Sequence, residues 1–69
     1  MTLLERLKPE YLEQLENVNK NYPLMYKKII KSLESHQSVF ALTIDDASSI
    51  CSFLNMETTV NNLLKLIKE

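Results

Sequence analysis

Apolar side chains recur at intervals of three and four residues along most of this 69-residue chain. That spacing is the period of an α-helix, so each such stretch predicts a helix with one buried face. Proline fits the first turn of a helix and clashes further in. We therefore expect a helical turn at about 2–7 and a first helix at 9–20, which starts at Pro9. A second helix at 23–35 starts at Pro23.

The second half of the chain opens with a stretch that lacks this period. Residues 36–43 predict an extended connector whose apolar side chains turn into the core. Thr43 is a good N-cap for a third helix at about 44–54. Asn55 ends that helix, since asparagine tolerates the left-handed conformation that glycine usually takes. A last helix begins at Glu57 or Thr58 and runs to the end.

The predicted core consists of one apolar stripe on each helix. The stripe positions are Tyr11, Leu12, Leu15 and Val18, then Tyr26, Ile29, Ile30 and Leu33, then Ile44, Ala47, Ile50, Cys51 and Leu54, and finally Val60, Leu63, Leu64 and Ile67. Some apolar residues exceed what these stripes need, and an apolar excess predicts an association surface. These residues are Leu3, Leu4, Leu7, Phe40, Phe53 and Leu66. The predicted fold is an all-α, compact bundle of three to four short helices in one domain that spans 1–69.

Composition narrows the function classes. The chain has no glycine, which excludes a glycine-rich phosphate loop and disfavours tight β-hairpins. A domain of this size has only about 3–5 kcal/mol of stability from its core, and its single cysteine cannot form an internal disulfide. No apolar run approaches the ~20 residues that span a bilayer. We therefore expect no membrane insertion, and the lone thiol without a signal sequence indicates a cytoplasmic protein.

Candidate chemistry is sparse. His36 has no nucleophile at a telling spacing, and Cys51 falls on a core stripe, where cysteine acts as a small hydrophobe. We expect no enzyme and no catalytic, metal-binding or cofactor-binding residue. The net charge is −1, but residues 20–33 hold four lysines and no acid, whereas residues 34–57 hold four acids and no lysine or arginine. The lysines, which form either a solvated face or a basic patch for phosphate or an acidic partner, are Lys20, Lys27, Lys28 and Lys31.

Residues 50–64 read ICSFLNMETTVNNLL, which is the end of one predicted helix, a short polar turn and the start of another. This arrangement resembles the helix-turn-helix of DNA-binding domains. The resemblance makes Cys51 the small packing residue, Asn55 the turn residue and Val60 the branched residue that locks the two helices together. It implies contact with duplex DNA through a helix at 58–68. The side chains that it places on the outer face are Thr58, Thr59, Asn61, Asn62 and Lys65.

The sequence departs from that family in four ways: the turn is one residue short, cysteine replaces the usual alanine, the turn has no glycine, and the last helix has no arginine. Its composition is also similar to that of small helical accessory proteins from AT-rich phage genomes, many of which dock onto another protein. The leading hypothesis is a small non-enzymatic regulatory protein, an adaptor or inhibitor, that acts by protein–protein binding and can associate with itself. The alternative is a helix-turn-helix transcriptional regulator that binds duplex DNA.

Overall fold

The computed structural model describes residues 1–68, and this part of the chain is all-α, as predicted. Its helices are α1 (Leu3–Arg6), α2 (Pro9–Asn21), α3 (Pro23–Ser35), α4 (Ile44–Phe53) and α5 (Val60–Lys65), with a 3-10 turn at Val39–Ala41 between α3 and α4. Only α2, α3 and α4 reach ten residues or more. None of the helices in the described part has the length and apolar character that crossing a membrane requires.

Local sequence signals set most helix starts. Pro9 and Pro23 occupy the first positions of α2 and α3, as predicted. The Thr43 hydroxyl accepts a hydrogen bond from the amide of Asp46 at 3.1 Å, which confirms Thr43 as the cap of α4. The short helix α1 has a full capping box that the pattern did not predict. In it, Thr2 accepts from the Glu5 amide at 3.4 Å and the Glu5 carboxylate accepts from the Thr2 amide at 3.1 Å.

The end of α4 is a Schellman motif built on asparagine. Asn55 has φ 57°, the left-handed conformation that the sequence predicted for it. Its amide donates to the carbonyl of Ser52 at 3.2 Å, and the amide of Met56 donates to the carbonyl of Cys51 at 2.9 Å. Met56 also packs against the core. Together these contacts turn the chain sharply between α4 and α5.

The core is closed by the N-terminal turn, which lies between the connector and the C-terminal segment. The Leu3 amide donates to the carbonyl of His36 at 2.8 Å, and the Lys8 amide donates to the carbonyl of Leu66 at 2.9 Å. Leu7 forms an antiparallel bridge with Ile67. The largest fully buried side chains are Leu3, Leu15, Ile29, Leu33, Ile50, Cys51 and Leu66.

Several predicted positions are wrong. Ile44, Val60, Leu64 and Leu12 belong to predicted core stripes but are 85, 50, 42 and 39% exposed. Of the six residues predicted to exceed the core stripes, three are buried in the core and take no part in a surface, namely Leu3, Leu7 and Leu66. Ile44 and Val60 are the first residues of their helices, where helical period assigns faces poorly because the side chain extends beyond the packed region.

Two predicted elements also need correction. The last helix covers Val60–Lys65 and not 58–68, because Thr59 caps it and the chain after Leu66 leaves the helix to pair with the N-terminal turn. The connector at 36–43 has extended residues, but its centre is the 3-10 turn. Within that turn Val39 is buried, whereas Phe40 is 73% exposed.

Candidate functional site

An apolar groove lies where the 3-10 turn and the first turns of α4 and α5 meet. We call it the corner groove. Its apolar lining consists of Val39, Phe40, Leu42, Ile44, Ala47, Val60 and Leu63. Three threonines complete it, namely Thr43, Thr58 and Thr59. The groove has a volume of about 330 Å³, which is room for a few side chains of a bound segment.

Three large apolar side chains stand exposed around this groove. Ile44 is 85% exposed, Phe40 73% and Val60 50%. Exposed apolar residues scattered singly over a surface are ordinary, whereas several around one concavity are typical of an interaction site. The corner groove is therefore the strongest candidate site in the described part of the chain.

Ile44 and Val60 occupy the same local position in their two helices. Each is the first residue of its helix and directly follows a threonine N-cap, Thr43 or Thr59. Side chains of a helix lean toward its N-terminus, so a side chain at the first position projects past the end of the helix. The Thr-Ile and Thr-Val pairs are visible in the sequence, but Leu3 follows the cap Thr2 in the same way and is buried, so this local position alone does not predict exposure.

The predicted recognition face divides between two concavities. Thr58 and Thr59 line the corner groove, whereas Asn61 and Lys65 border a separate hollow beside Lys8. Asn62 is part of the cap of α5, since its Nδ2 donates to the carbonyl of Glu57 at 2.9 Å. The five residues predicted for DNA contact therefore do not border one hollow.

Two of the three residues that the helix-turn-helix resemblance assigned lie where it implies and the third does not, and the resemblance itself stays a prediction. Cys51 is fully buried, as expected of the small packing residue, and Asn55 makes the turn. The predicted locking residue, Val60, is half exposed, and Leu63 is the buried residue of α5 instead. The helix α5 has only six residues, which is less than two turns.

The predicted lysine patch is only partly gathered. Lys28 and Lys31 border one hollow on α3, which also includes Asp46 from α4. Lys27 is exposed elsewhere on α3, and Lys20 lies in the last turn of α2. Because Asp46 shares the hollow, the positive potential of the two lysines is reduced there.

The same hollow includes His36 and the buried side chain of Ser32. The Nδ1 atom of His36 lies 2.7 Å from the carbonyl oxygen of Ser32. A carbonyl oxygen can only accept a hydrogen bond, so Nδ1 carries the proton in this contact. Nε2 is the ring nitrogen that takes no part in it. The Ser32 Oγ atom is buried and has no hydrogen-bond partner within residues 1–68.

A polar hollow between α2 and α4 was not predicted from the sequence. It is lined by amide side chains, among them Asn17, Asn21 and Asn55, and has a volume of about 560 Å³. One wall is an edge-to-face contact between the rings of Tyr22 and Phe53, whose centroids are 5.5 Å apart. Asn17 and Asn21 lie one turn apart on α2, whereas Asn55 comes from the far end of α4, and the packing of the two helices brings it beside them.

Covalent and metal chemistry have little support. Burial raises the pKa of the Cys51 thiol, and a protonated, inaccessible thiol is a poor nucleophile. Across residues 1–68, no three side chains among histidine, cysteine, aspartate and glutamate are grouped so that they could hold a metal ion. The binding surfaces of the domain are therefore the strongest basis for a proposed function.

Comparisons with protein-family models, with curated proteins and with solved structures find no match to this chain.

Proposed function

We propose that this chain is a small non-enzymatic regulatory protein that acts by binding another protein through the corner groove. The observation that carries the proposal is the exposure of Phe40, Ile44 and Val60 around one apolar concavity. Burying such side chains against a partner is the main source of binding free energy at protein interfaces. A second copy of the chain is one candidate partner, and the proposed compartment is the cytoplasm.

The size of the domain strengthens this argument. A core of this size supplies only about 3–5 kcal/mol of stability. Each large apolar side chain that stays in water therefore leaves out a contribution that its burial would add. Three such side chains are left at the same corner, and their helix caps hold them there. A function in binding accounts for that arrangement.

The alternative proposal is a transcriptional regulator that binds duplex DNA through α5. It is supported by the buried Cys51, the tight turn at Asn55 and the exposure of Asn61 and Lys65. It is weakened by the shortness of α5 and by the acids Asp45 and Glu57, which lie next in sequence to residues of the groove and repel phosphate. This alternative requires binding that falls steeply as salt is raised.

Site-specific photo-cross-linking in the native cell tests the proposal. A photoreactive phenylalanine replaces Phe40, and the matched control replaces Leu24, which is 79% exposed on α3 and far from the groove in sequence. Adducts are scored for both protein and nucleic acid. We expect one protein adduct of defined mass from position 40 that is absent from position 24.

The proposal fails if both positions give the same adducts, or if position 40 gives none. Adducts with DNA instead of protein would favour the alternative. Sedimentation of the purified chain at micromolar concentration then decides whether the bound protein is a second copy.

A further inference from the structure

We propose that the segment bound in the corner groove is a basic amphipathic helix. This inference rests on the proposed function and adds the chemistry of the partner. Its basis is that the apolar groove is built from a chain segment that carries acids and lacks lysine and arginine. An amphipathic helix that presents apolar anchors between lysines or arginines is complementary to both properties.

The charge argument begins with the chain segment that forms the groove. Residues 32–64 contain four acids, Glu34, Asp45, Asp46 and Glu57, and no lysine or arginine, so their formal charge is 0 − 4 = −4. Every residue that lines the groove falls within this segment. The partner therefore meets a negative field when it approaches this corner.

Two of these acids are exposed and lie next in sequence to residues that line the groove. Asp45 directly follows Ile44, and Glu57 directly precedes Thr58, and both carboxylates are exposed. Asp46 belongs to the hollow beside Lys28 and is assigned no role here. Exposed acids at the rim of an apolar site mainly affect association rate and partner choice.

Two cations on neighbouring elements do not line the groove. Lys65 lies on α5 but borders the hollow with Asn61 and Lys8, and not the corner groove. The guanidinium of Arg6 reaches the connector, where it donates to the carbonyl of Gln37 at 3.0 Å. Neither side chain lines the groove, so neither neutralises its rim directly.

The backbone around the groove favours a helix over a strand as the occupant. A bound strand needs an open sheet edge with unpaired amides and carbonyls. In residues 1–68 the one β-type pairing is the single bridge between Leu7 and Ile67, so the groove offers no such edge. Recognition must then use side chains, and a helix presents apolar anchors at every third and fourth position.

A symmetric contact between two copies of the chain is disfavoured by the same charges. A two-fold contact brings the same patch of each copy together. Asp45 and Glu57 of one copy would then lie near their counterparts in the other, and like charges at an interface weaken it. A separate basic partner meets no such repulsion.

The experiment uses three synthetic helical peptides with identical leucines at positions i, i+4 and i+7. The remaining positions carry lysine in the first peptide, glutamine in the second and glutamate in the third. Each is titrated into the isotope-labelled full chain, and the amide signals of Ile44, Ala47 and Val60 are followed by NMR. We expect the lysine peptide to bind about tenfold more tightly than the glutamate peptide, with this preference shrinking as salt rises.

Charge reversal at the rim provides the decisive comparison. The double variant Asp45→Lys/Glu57→Lys is expected to lose about tenfold in affinity for the lysine peptide. The control Glu13→Lys/Glu16→Lys changes the net charge equally, on exposed residues of α2, and is expected to retain the preference. Circular dichroism confirms that both variants fold.

The remaining outcomes overturn the inference. Equal binding of all three peptides, or preference for the glutamate peptide, means that the groove does not select a basic partner, although the proposed function stands. Preference lost equally in both double variants means that net charge and not the rim is responsible. If no peptide moves the groove signals, or if the chain alone forms a dimer that Ile44→Ser dissociates, the occupant is not a basic helix.

Discussion

The N-terminal turn and the corner groove are built from similar residues with opposite results. Leu3 and Leu7 of the N-terminal turn are 0 and 5% exposed, whereas Ile44 and Val60 at the corner are 85 and 50% exposed. Leu3, Ile44 and Val60 are the first residues of α1, α4 and α5. Leu7 directly follows the four-residue helix α1. Their spacing in the sequence does not distinguish them.

The difference lies in the hydrogen bonds of the backbone beside them. The N-terminal turn bonds to remote segments, through the Leu3 amide to His36 and through the Lys8 amide to Leu66. The caps at the corner are local, since Thr43 and Thr59 each bond an amide three residues later. Thr2 caps α1 in the same local way, so the long-range bonds are what set the N-terminal turn apart and draw it into the core.

The largest effect is expected for Leu3→Ala. Truncating a fully buried leucine costs about 2–5 kcal/mol, which is comparable to the whole stability of a domain of this size. The variant should be largely unfolded at 25 °C, as measured by circular dichroism with urea titration. The control Leu24→Ala removes a leucine that is 79% exposed and should change stability by less than about 0.5 kcal/mol. Equal stabilities of the two variants would contradict the burial of the N-terminal turn.

A smaller loss is expected for Asn55→Ala, which tests how the corner is held in place. The left-handed conformation costs alanine about 1–2 kcal/mol and costs asparagine less. Asn55→Gly removes that strain while keeping the turn, so it should be at least as stable as the native chain. Urea midpoints of the two variants give the comparison. If alanine is tolerated as well as glycine, the Schellman motif does not determine the turn between α4 and α5.

Elements with strong local signals could be predicted from the sequence, and the corner could not. Pro9, Pro23, Thr43 and Asn55 set boundaries within two residues, because each restricts its own backbone. Whether Val60 is buried depends on where α5 begins. The predicted start lay two residues too early, at Thr58, and this error wrongly assigned the Val60 side chain to the core. The gathering of the groove from three elements depends on tertiary packing, which leaves no local signal.

The effect of Ile44→Ser on stability should be smaller still, at most about 0.5 kcal/mol, because the side chain is already in water. Its effect on partner binding should be large, since loss of a central apolar anchor costs about 2 kcal/mol or more. Urea titration and the cross-linking yield from position 40 measure the two quantities. The matched change Ile50→Ser, at a fully buried position of α4, should unfold the chain. A destabilisation by Ile44→Ser above 1 kcal/mol would place the corner in the core after all.

The smallest effect is expected at Glu5, whose capping box begins the N-terminal turn. Hydrogen bonds from the backbone and hydroxyl of Thr2 lower the pKa of the Glu5 carboxyl below its ordinary value of 4.5. A lowered pKa in the folded state contributes stability that is complete above the unfolded value and is lost as pH falls through the folded value. The native chain should therefore lose slightly more stability than Glu5→Gln between pH 6 and pH 3.

Urea midpoints at the two pH values measure this difference, and an NMR titration of the Glu5 carboxyl measures its pKa directly. Glu10→Gln removes the same charge from a residue that caps no helix and serves as the control. A Glu5 carboxyl that titrates at or above 4.5 would show that the box is not formed in solution. The burial of Leu3 would then depend on the long-range bonds of the N-terminal turn to His36 and Leu66 alone. In the part of the chain that the structure describes, these are the bonds that the corner groove lacks.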